Sequence, residues 1–433
     1  MKPTLLVVGL GFQSSIPNVL YTGGLDIVVT YLYPLLPYEC VIFVRALNSP
    51  RTISFNYAKN VHVNAVPVER WRSKDDRMFR VAEHSYDMID AFDFVSTVVY
   101  ERVLPLMPTM NRKSLILHAH DWMNSKAITI LKERYPDIKS VFSVHISVSR
   151  PVGVDYLELL KEIEMHGLSI ELRARLGSLD RRLLLEAEGC ENADIVHCVS
   201  KATAESVMNA YGIPKKKVKV IYNGVDTNLY TPSTEEDTER ITTVLKKYGI
   251  TKPFILSTGR FVAEKNHKGL LKAFQIFAQK NQDYSLAILG FDGYTYDELV
   301  RLREAMPENI RKRVVIKSAD LRHDLPVLYR AADVCCFPSL EEAFGIVALE
   351  AMASGSPVVV GDVGGLREVI DDYVNRKVGV RVDARSPELL AKALSEAAAN
   401  RESWGANARK YVVRKFSWKK IALKFQRLYD SLA

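Results

Sequence analysis

Nowhere does this sequence approach the roughly 18 uninterrupted apolar residues that a membrane-spanning helix needs, so no spanning helix is expected. The opening MKPTLLVVGLGF has the apolar character of a leader. Its run is short, ends in glycines and lacks a small-residue cleavage site. It reads as a buried first strand, and a cytoplasmic protein is expected. Cysteine is scarce: Cys40, Cys190, Cys198, Cys335 and Cys336 make five. An odd count without paired ligand spacing argues against a disulfide framework and a zinc site. Cys198, Cys335 and Cys336 lie in apolar runs that read as strands, so reduced core thiols are expected. No D-x-D motif occurs, and no metal is expected. There is no aromatic-rich RNA motif or zinc finger beside the basic clusters Lys215–Lys217 and Arg311–Arg313. Those clusters read as solvated surface and no nucleic-acid partner is expected. The net charge of +8 favours some anionic partner, and leaves peripheral contact with a phospholipid surface open.

What the sequence does have is short apolar runs, repeated along its length and separated by helical patterns. In the first half they are Leu5–Gly9, Cys40–Val44, Ser114–Ala119, Val141–His145 and Ile195–Val199. In the second half they are Phe254–Thr258, Leu286–Gly290, Val314–Lys317, Val334–Phe337 and Pro357–Val360. Continuous apolar runs without alternation suit strands covered on both faces of a parallel sheet. Stretches such as Gly269–Ala278 and Glu388–Ala399 carry helical spacing. The alternation predicts doubly wound α/β architecture. The pattern runs twice, with a polar, lysine-rich stretch over 201–250 between the series. Two Rossmann-like domains are expected, residues 1–222 and 223–415, facing across a cleft into which the carboxyl ends of their strands point.

Four motifs carry chemistry. PSLEEAFGIVALEAMA (338–353) follows the strand VCCF, with a helix expected from about Phe344. Glu342 then sits at the strand–helix turn and Glu350 two turns into the helix. Eight positions return near the same helical face, so both carboxylates can address one ligand. The free amides near Gly345, Ile346 and Val347 offer an anion site at the helix start. Set against this is an ordinary amphipathic helix with exposed glutamates. GRFVAEK (259–265) follows the strand FILST, and places Arg260 and Lys265 at a strand's carboxyl end. A guanidinium fork and an ammonium there can grip phosphate oxygens, although paired loop cations are usually just solvated. YTGGL (21–25) follows the first strand, and Gly23 and Gly24 permit close backbone approach to a phosphate or sugar. It does not fit the G-x-G-x-x-G dinucleotide fingerprint. HAHDW (118–122) ends the strand SLIL. The separation of His118 and His120 is read as placing them on opposite sides of the strand, so that one reaches a ligand. His145 is a weaker candidate of the same kind, and a structural role is the default for each of these rings.

Taken in order, these motifs resemble the retaining GT-B glycosyltransferases, and within them the glycogen and starch synthase branch. The resemblance covers nearly the whole chain. TGGL is similar to that branch's glycine loop and HAHDW to its histidine motif. VSKAT and YNGVD (222–226) are similar to its interdomain stretch, and GRFVAEK to its Arg–Lys grip. PSLEEAFGIVALEAMASGSPVVVGDVGGLREVI resembles its donor-site signature. FSWKKIALKFQRLY, from Phe416, resembles a terminal helix that crosses back to the first domain, which would then include 416–433. The resemblance implies transfer of a hexose, glucose above all, from ADP- or UDP-glucose to an acceptor hydroxyl, with retention at the anomeric carbon and no cofactor beyond the donor. It implies a carbohydrate acceptor of the α-glucan kind. It implies that Arg260 and Lys265 bind the donor diphosphate, and that Glu350 binds the ribose hydroxyls. Glu342 would lie beside the transferred sugar. Gly23 and Gly24 would close over the phosphates, and His120 would line the sugar pocket. Two positions depart from the branch: Tyr21 stands where lysine is usual and Met123 where histidine is usual. Both departures bear on the acceptor, and a lipid or small-molecule acceptor is the alternative. A phosphorylase or epimerase would share two facing α/β domains, but the first implies a pyridoxal-phosphate lysine in a much longer chain. A non-catalytic sugar-nucleotide-binding regulator is the remaining alternative, against which Arg260, Lys265, Glu342 and Glu350 are all intact.

Overall fold

The computed structural model describes residues 3–9, 24–46, 51–67, 95, 97–147, 170–291, 293–372 and 374–433. The chain divides into two compact units. One comprises Met1–Asn223 with Trp418–Ala433, the other Gly224–Ser417.

The first unit is built on an eight-stranded sheet. Its strands are β1 (Thr4–Val8), β2 (Glu39–Ala46), β3 (Ile53–Ala58), β4 (Val61–Pro67), β5 (Leu115–His120), β6 (Lys139–Val144), β7 (Ile195–Cys198) and β8 (Val218–Val220). They are ordered β3-β4-β2-β1-β5-β6-β7-β8. Every pairing is parallel except β3 with β4. Successive residues of a strand enter different cores. Leu5, Val7 and Ile116 lie in one hydrophobic cluster, and Leu6, Val8, Leu115 and Leu117 in another. That is why these strands are apolar throughout: both faces are covered. The first cluster includes Trp418, Ile421, Phe425, Leu428 and Tyr429 of the terminal helix Trp418–Asp430.

The second unit carries β9 (Phe254–Thr258), β10 (Ser285–Gly290), β11 (Val314–Ser318), β12 (Val334–Phe337), β13 (Val358–Gly361) and β14 (Gly379–Val382). Their order is β11-β10-β9-β12-β13-β14, with all pairings parallel. Sequential connection leaves β9 toward β10 on one side and reaches β12 on the other. β9 and β12 therefore flank the topological switch point, where open α/β sheets bind ligands beyond their carboxyl ends. In the first unit β1 and β5 hold the equivalent position.

The doubly wound α/β class expected for both halves is what the structure shows. All five cysteines are free and buried. Among the described residues no helix is long and apolar enough to cross a membrane. The apolar-run criterion passed over β3, β4 and β14. β3 alternates half-buried and exposed residues, as an outer strand does, and β14 is only GVRV. One boundary moves. The helix expected from Phe416 is two helices, Arg401–Phe416 and Trp418–Asp430, broken at Ser417, whose backbone is extended. Phe416 fits the apolar stripe by spacing, yet it packs in the second unit, edge-on to Phe344 and Tyr411. Its carbonyl accepts from the Val225 amide at 2.9 Å, so the strand leaving the first unit and the one returning to it run side by side.

Candidate functional site

In the second unit the two motif loops meet at the switch point. Gly259–Lys265 leaves β9 and Pro338–Gly345 leaves β12. The Leu340 amide donates to the Glu264 carbonyl at 2.8 Å, tying one loop to the other. Above that tie, Lys265 Nζ donates to Glu342 Oε2 at 2.6 Å, and both side chains are largely covered. Ser339 Oγ reaches the same carboxylate oxygen at 3.5 Å. Arg260 leans toward Glu264, 3.7 Å away, with its side chain 39% exposed.

The helix Ile346–Ala353 begins one residue later than Gly345, its N-cap. Gly345 has φ +101°, a conformation that favours glycine, and a Cβ there would also press on Leu366 Cδ2 at 2.5 Å. This start places Glu350 little more than one turn into the helix rather than two. Neither glutamate is a surface residue. Glu350 is 3% exposed and hydrogen-bonds the hydroxyls of Tyr230 and Tyr329. Burial pushes its carboxyl up to about 8, against the opposing pull of those two hydroxyls. The Tyr329 hydroxyl lies 2.8 Å from Thr258 Oγ1, linking Glu350 back to the end of β9.

Beside Lys265 lies a small recess lined also by Ser257, Thr258, His267, Ser339 and Val347. Ser257 Oγ and His267 Nδ1 are buried there without a hydrogen-bond partner among the described residues. Burial, reinforced by Lys265, lowers His267 to about 3, so the ring is neutral. The sequence reading missed Ser257, Thr258, His267, Tyr230 and Tyr329. Two hydroxyl residues closing an otherwise apolar strand, FILST, were the available signal for the first two. The tyrosines lie far along the chain from Glu350 and gave none.

In the first unit, Tyr21 and Gly23 lie outside the described residues, and Gly24 begins the helix Gly24–Leu32. His118 and His120 require a correction. They share one face of β5, because alternate residues of a strand point the same way. Their rings stack 4.1 Å apart. His120 is fully buried, with Nε2 2.7 Å from the Tyr33 hydroxyl and Nδ1 2.8 Å from His145 Nε2. His145, at the end of β6, thus belongs to the same cluster. Asp121, with φ +58°, turns its carboxylate to the amides of His145 and Ile146. Burial raises that carboxyl to about 7.

The chain matches the family described as glycosyl transferases group 1 over residues 241–411. It matches the family described as glycosyltransferase family 4 over residues 22–229. An uncharacterized glycosyltransferase of Methanocaldococcus jannaschii is 32% identical over 326 residues, covering 72% of this chain and 74% of that protein. The D-inositol 3-phosphate glycosyltransferase of Corynebacterium kroppenstedtii is 27% identical, covering 96% and 86%. Among solved structures, sucrose-phosphate synthase from Thermosynechococcus elongatus superposes with a TM-score of 0.74 at 22% identity, covering 100% of this chain and 99% of that one. The catalytic domain of starch synthase IV from Arabidopsis thaliana, bound to ADP and acarbose, gives 0.69 at 16%, covering 100% and 99%. These structural likenesses speak to fold. This chain belongs to the group 1 glycosyltransferases, with the GT-B fold, and it is a glycosyltransferase enzyme.

Proposed function

We propose that the protein transfers a hexose, with glucose the first expectation, from a nucleoside diphosphate sugar to an acceptor hydroxyl with retention at the anomeric carbon. The observation that carries this reading is the Lys265–Glu342 pair at the carboxyl ends of β9 and β12. A cation and a carboxylate held 2.6 Å apart at a switch point match the two ends of such a donor. The departing diphosphate gains negative charge, which Lys265, Arg260 and the amides of Gly345, Ile346 and Val347 stabilise. Glu342 accepts hydrogen bonds from the sugar hydroxyls close to the reacting carbon. Ser257 and His267 supply further polar contacts to a phosphate oxygen entering the recess. Glu350, held by Tyr230 and Tyr329, faces the ribose. The resemblance to the synthase branch, rather than any observed position, assigns Gly23 and Gly24 to the donor phosphates and His120 to the sugar pocket in this reading. ADP- or UDP-glucose is the donor of this reading, no other cofactor is required, and a cytoplasmic setting accords with it.

For the acceptor, resemblance to the synthase branch favours an α-glucan. The names of the relatives favour a second reading, a small phosphorylated polyol. The test is release of nucleoside diphosphate from a panel of ADP-, UDP- and GDP-sugars. Each is incubated alone, with a malto-oligosaccharide, or with inositol 3-phosphate, and the product's mass and anomeric configuration are determined. Acceptor-stimulated release with retention supports the proposal. An inverted product overturns the retaining assignment, and binding without release from any sugar identifies a regulator instead.

A further inference from the structure

Four of the nine histidines, His118, His120, His145 and His197, are joined in one buried hydrogen-bonded chain in the first unit. It begins at a backbone carbonyl: His197 Nε2 lies 2.8 Å from Ile221 O. Ser143 Oγ bridges His197 Nδ1 at 2.7 Å and His118 Nε2 at 2.6 Å. His118 Nδ1 lies 2.8 Å from two phenol hydroxyls, those of Tyr33 and Tyr429. Tyr33 continues to His120, and His120 to His145.

Hydrogen-bond chemistry fixes the direction of the first half. A carbonyl only accepts, so Nε2 of His197 carries the proton. Burial keeps the rings neutral, so His197 Nδ1 is bare and accepts from the Ser143 hydroxyl. That hydroxyl has one proton and has used it, so its oxygen accepts from Nε2–H of His118. His118 Nδ1 is then bare and accepts from a phenol. The chain ends on a carbonyl, which takes no proton, so it is suited to fixing proton positions rather than conducting protons.

We infer that His197, Ser143 and His118, with Tyr33 and Tyr429, are positioning residues that set which ring nitrogen of His120, and through it of His145, carries the proton. Tyr33 is the pivot. When Tyr429 serves His118, the Tyr33 proton can turn to His120 Nε2, leaving His120 to donate from Nδ1, or to the Tyr429 oxygen, with which Tyr33 also hydrogen-bonds. When Tyr33 must itself serve His118, its oxygen accepts from His120 Nε2–H, and His145 donates in turn from Nε2. Tyr429 comes from the terminal helix, so that helix contributes chemistry to the end of β5 as well as bulk to the core. The functional consequence rests on the assignment of His120 to the transfer site; the proton positions do not.

The test uses the full chain labelled with 15N at histidine, read by long-range 1H–15N correlation spectra. In the unaltered protein His118 and His197 are expected as neutral Nε2–H rings. Either ring found charged or as Nδ1–H overturns the inference. In Tyr429→Phe, which keeps the ring and removes the hydroxyl, His120 and His145 are expected wholly as Nε2–H; any Nδ1–H form of His120 there overturns it. Ser143→Ala disconnects the carbonyl end, so a mixture of His118 proton positions is expected. It should also lower kcat about tenfold, as modest misplacement of a reacting group does, with donor KM within about twofold. Ser143→Thr should restore both. Expected proton positions with unchanged kcat would keep the lock and sink the role of His120 in transfer. An unchanged His118 signal in Ser143→Ala would sink the lock itself.

Discussion

The two units place polar groups at equivalent points of similar sheets and treat them in opposite ways. At the switch point of the second unit the groups are ionic and partly open: Lys265 against Glu342, with Arg260 beside them. At that of the first unit they are neutral, buried and satisfied by one another: imidazoles, phenols and a serine. An ion pair with some exposure can exchange partners when a charged ligand arrives. A dry, directed network holds one geometry and resists charge. On the proposed function, this contrast suits the second unit to charge recognition and the first to positioning.

The comparison breaks most visibly at the terminal helix. Removing residues 418–433 takes Trp418, Ile421, Phe425, Leu428 and Tyr429 out of the first unit's core. Large buried side chains each contribute roughly 2–5 kcal/mol, so the loss of five matches or exceeds a typical domain's stability of about 5–15 kcal/mol. Hydrogen exchange should show the first unit unprotected while Gly224–Ser417 stays protected and still binds UDP or ADP. Protection retained in β1 and β5 would show the helix to be dispensable.

Acid should separate the units next. His118, His120, His145 and His197 all have folded pKa values lowered by burial, His197 to about 4. Their contribution is fully present above the ordinary histidine range and is lost as pH falls below about 6.5. Each adds a slope of up to about 1.4 kcal/mol per pH unit, so four together approach about 5.6 kcal/mol per pH unit. His267 is the matching buried ring described in the second unit. Urea midpoints followed unit by unit between pH 7 and 5 should fall faster for the first unit; parallel declines would refute the contrast.

Lys265→Ala tests the ionic half. On the proposed function it removes a cation from the leaving diphosphate, and it leaves Glu342 without its cation, so kcat/KM should fall by about a hundredfold or more. The fold should persist by circular dichroism, and a loss below about threefold would remove Lys265 from the transition state.

Glu350→Gln should have the smallest effect. With its carboxyl pushed up to about 8, Glu350 is mostly protonated at neutral pH, and glutamine resembles it closely. A raised folded pKa means the contribution is complete below about 4.5 and declines until pH passes about 8. The variant should lack that decline, of about 1.4 kcal/mol per pH unit, between pH 5.5 and 7.5. Identical pH profiles for variant and parent would show that Glu350 is ionised.

Much of this was legible in the sequence because parallel strands covered on both faces must be apolar throughout. β9, β12 and the loops after them were found that way, and the motif residues came with them. The misreadings have equally local causes. His118 and His120 were assigned opposite sides although a strand repeats every two residues. Phe416 obeys the helical stripe, but spacing cannot register the extended backbone at Ser417. The partners of Glu350 and His118 were invisible for another reason: Tyr429 lies 311 residues from His118, and only the folded topology brings them together.

That topology also orders events in time. The second unit is one continuous segment, whereas the first needs residues made after the whole of the second. On the ribosome, domains generally fold as they emerge, the amino-terminal one first. Here the order is inverted for completion: the first unit cannot finish until Phe425 and Tyr429 have been made, after every residue of the second. Until then its β5 face, with the neutral histidines, stands without its cover. A nascent chain of this protein therefore carries an unfinished early half through synthesis of its later half, and that interval is when a chaperone has most to protect.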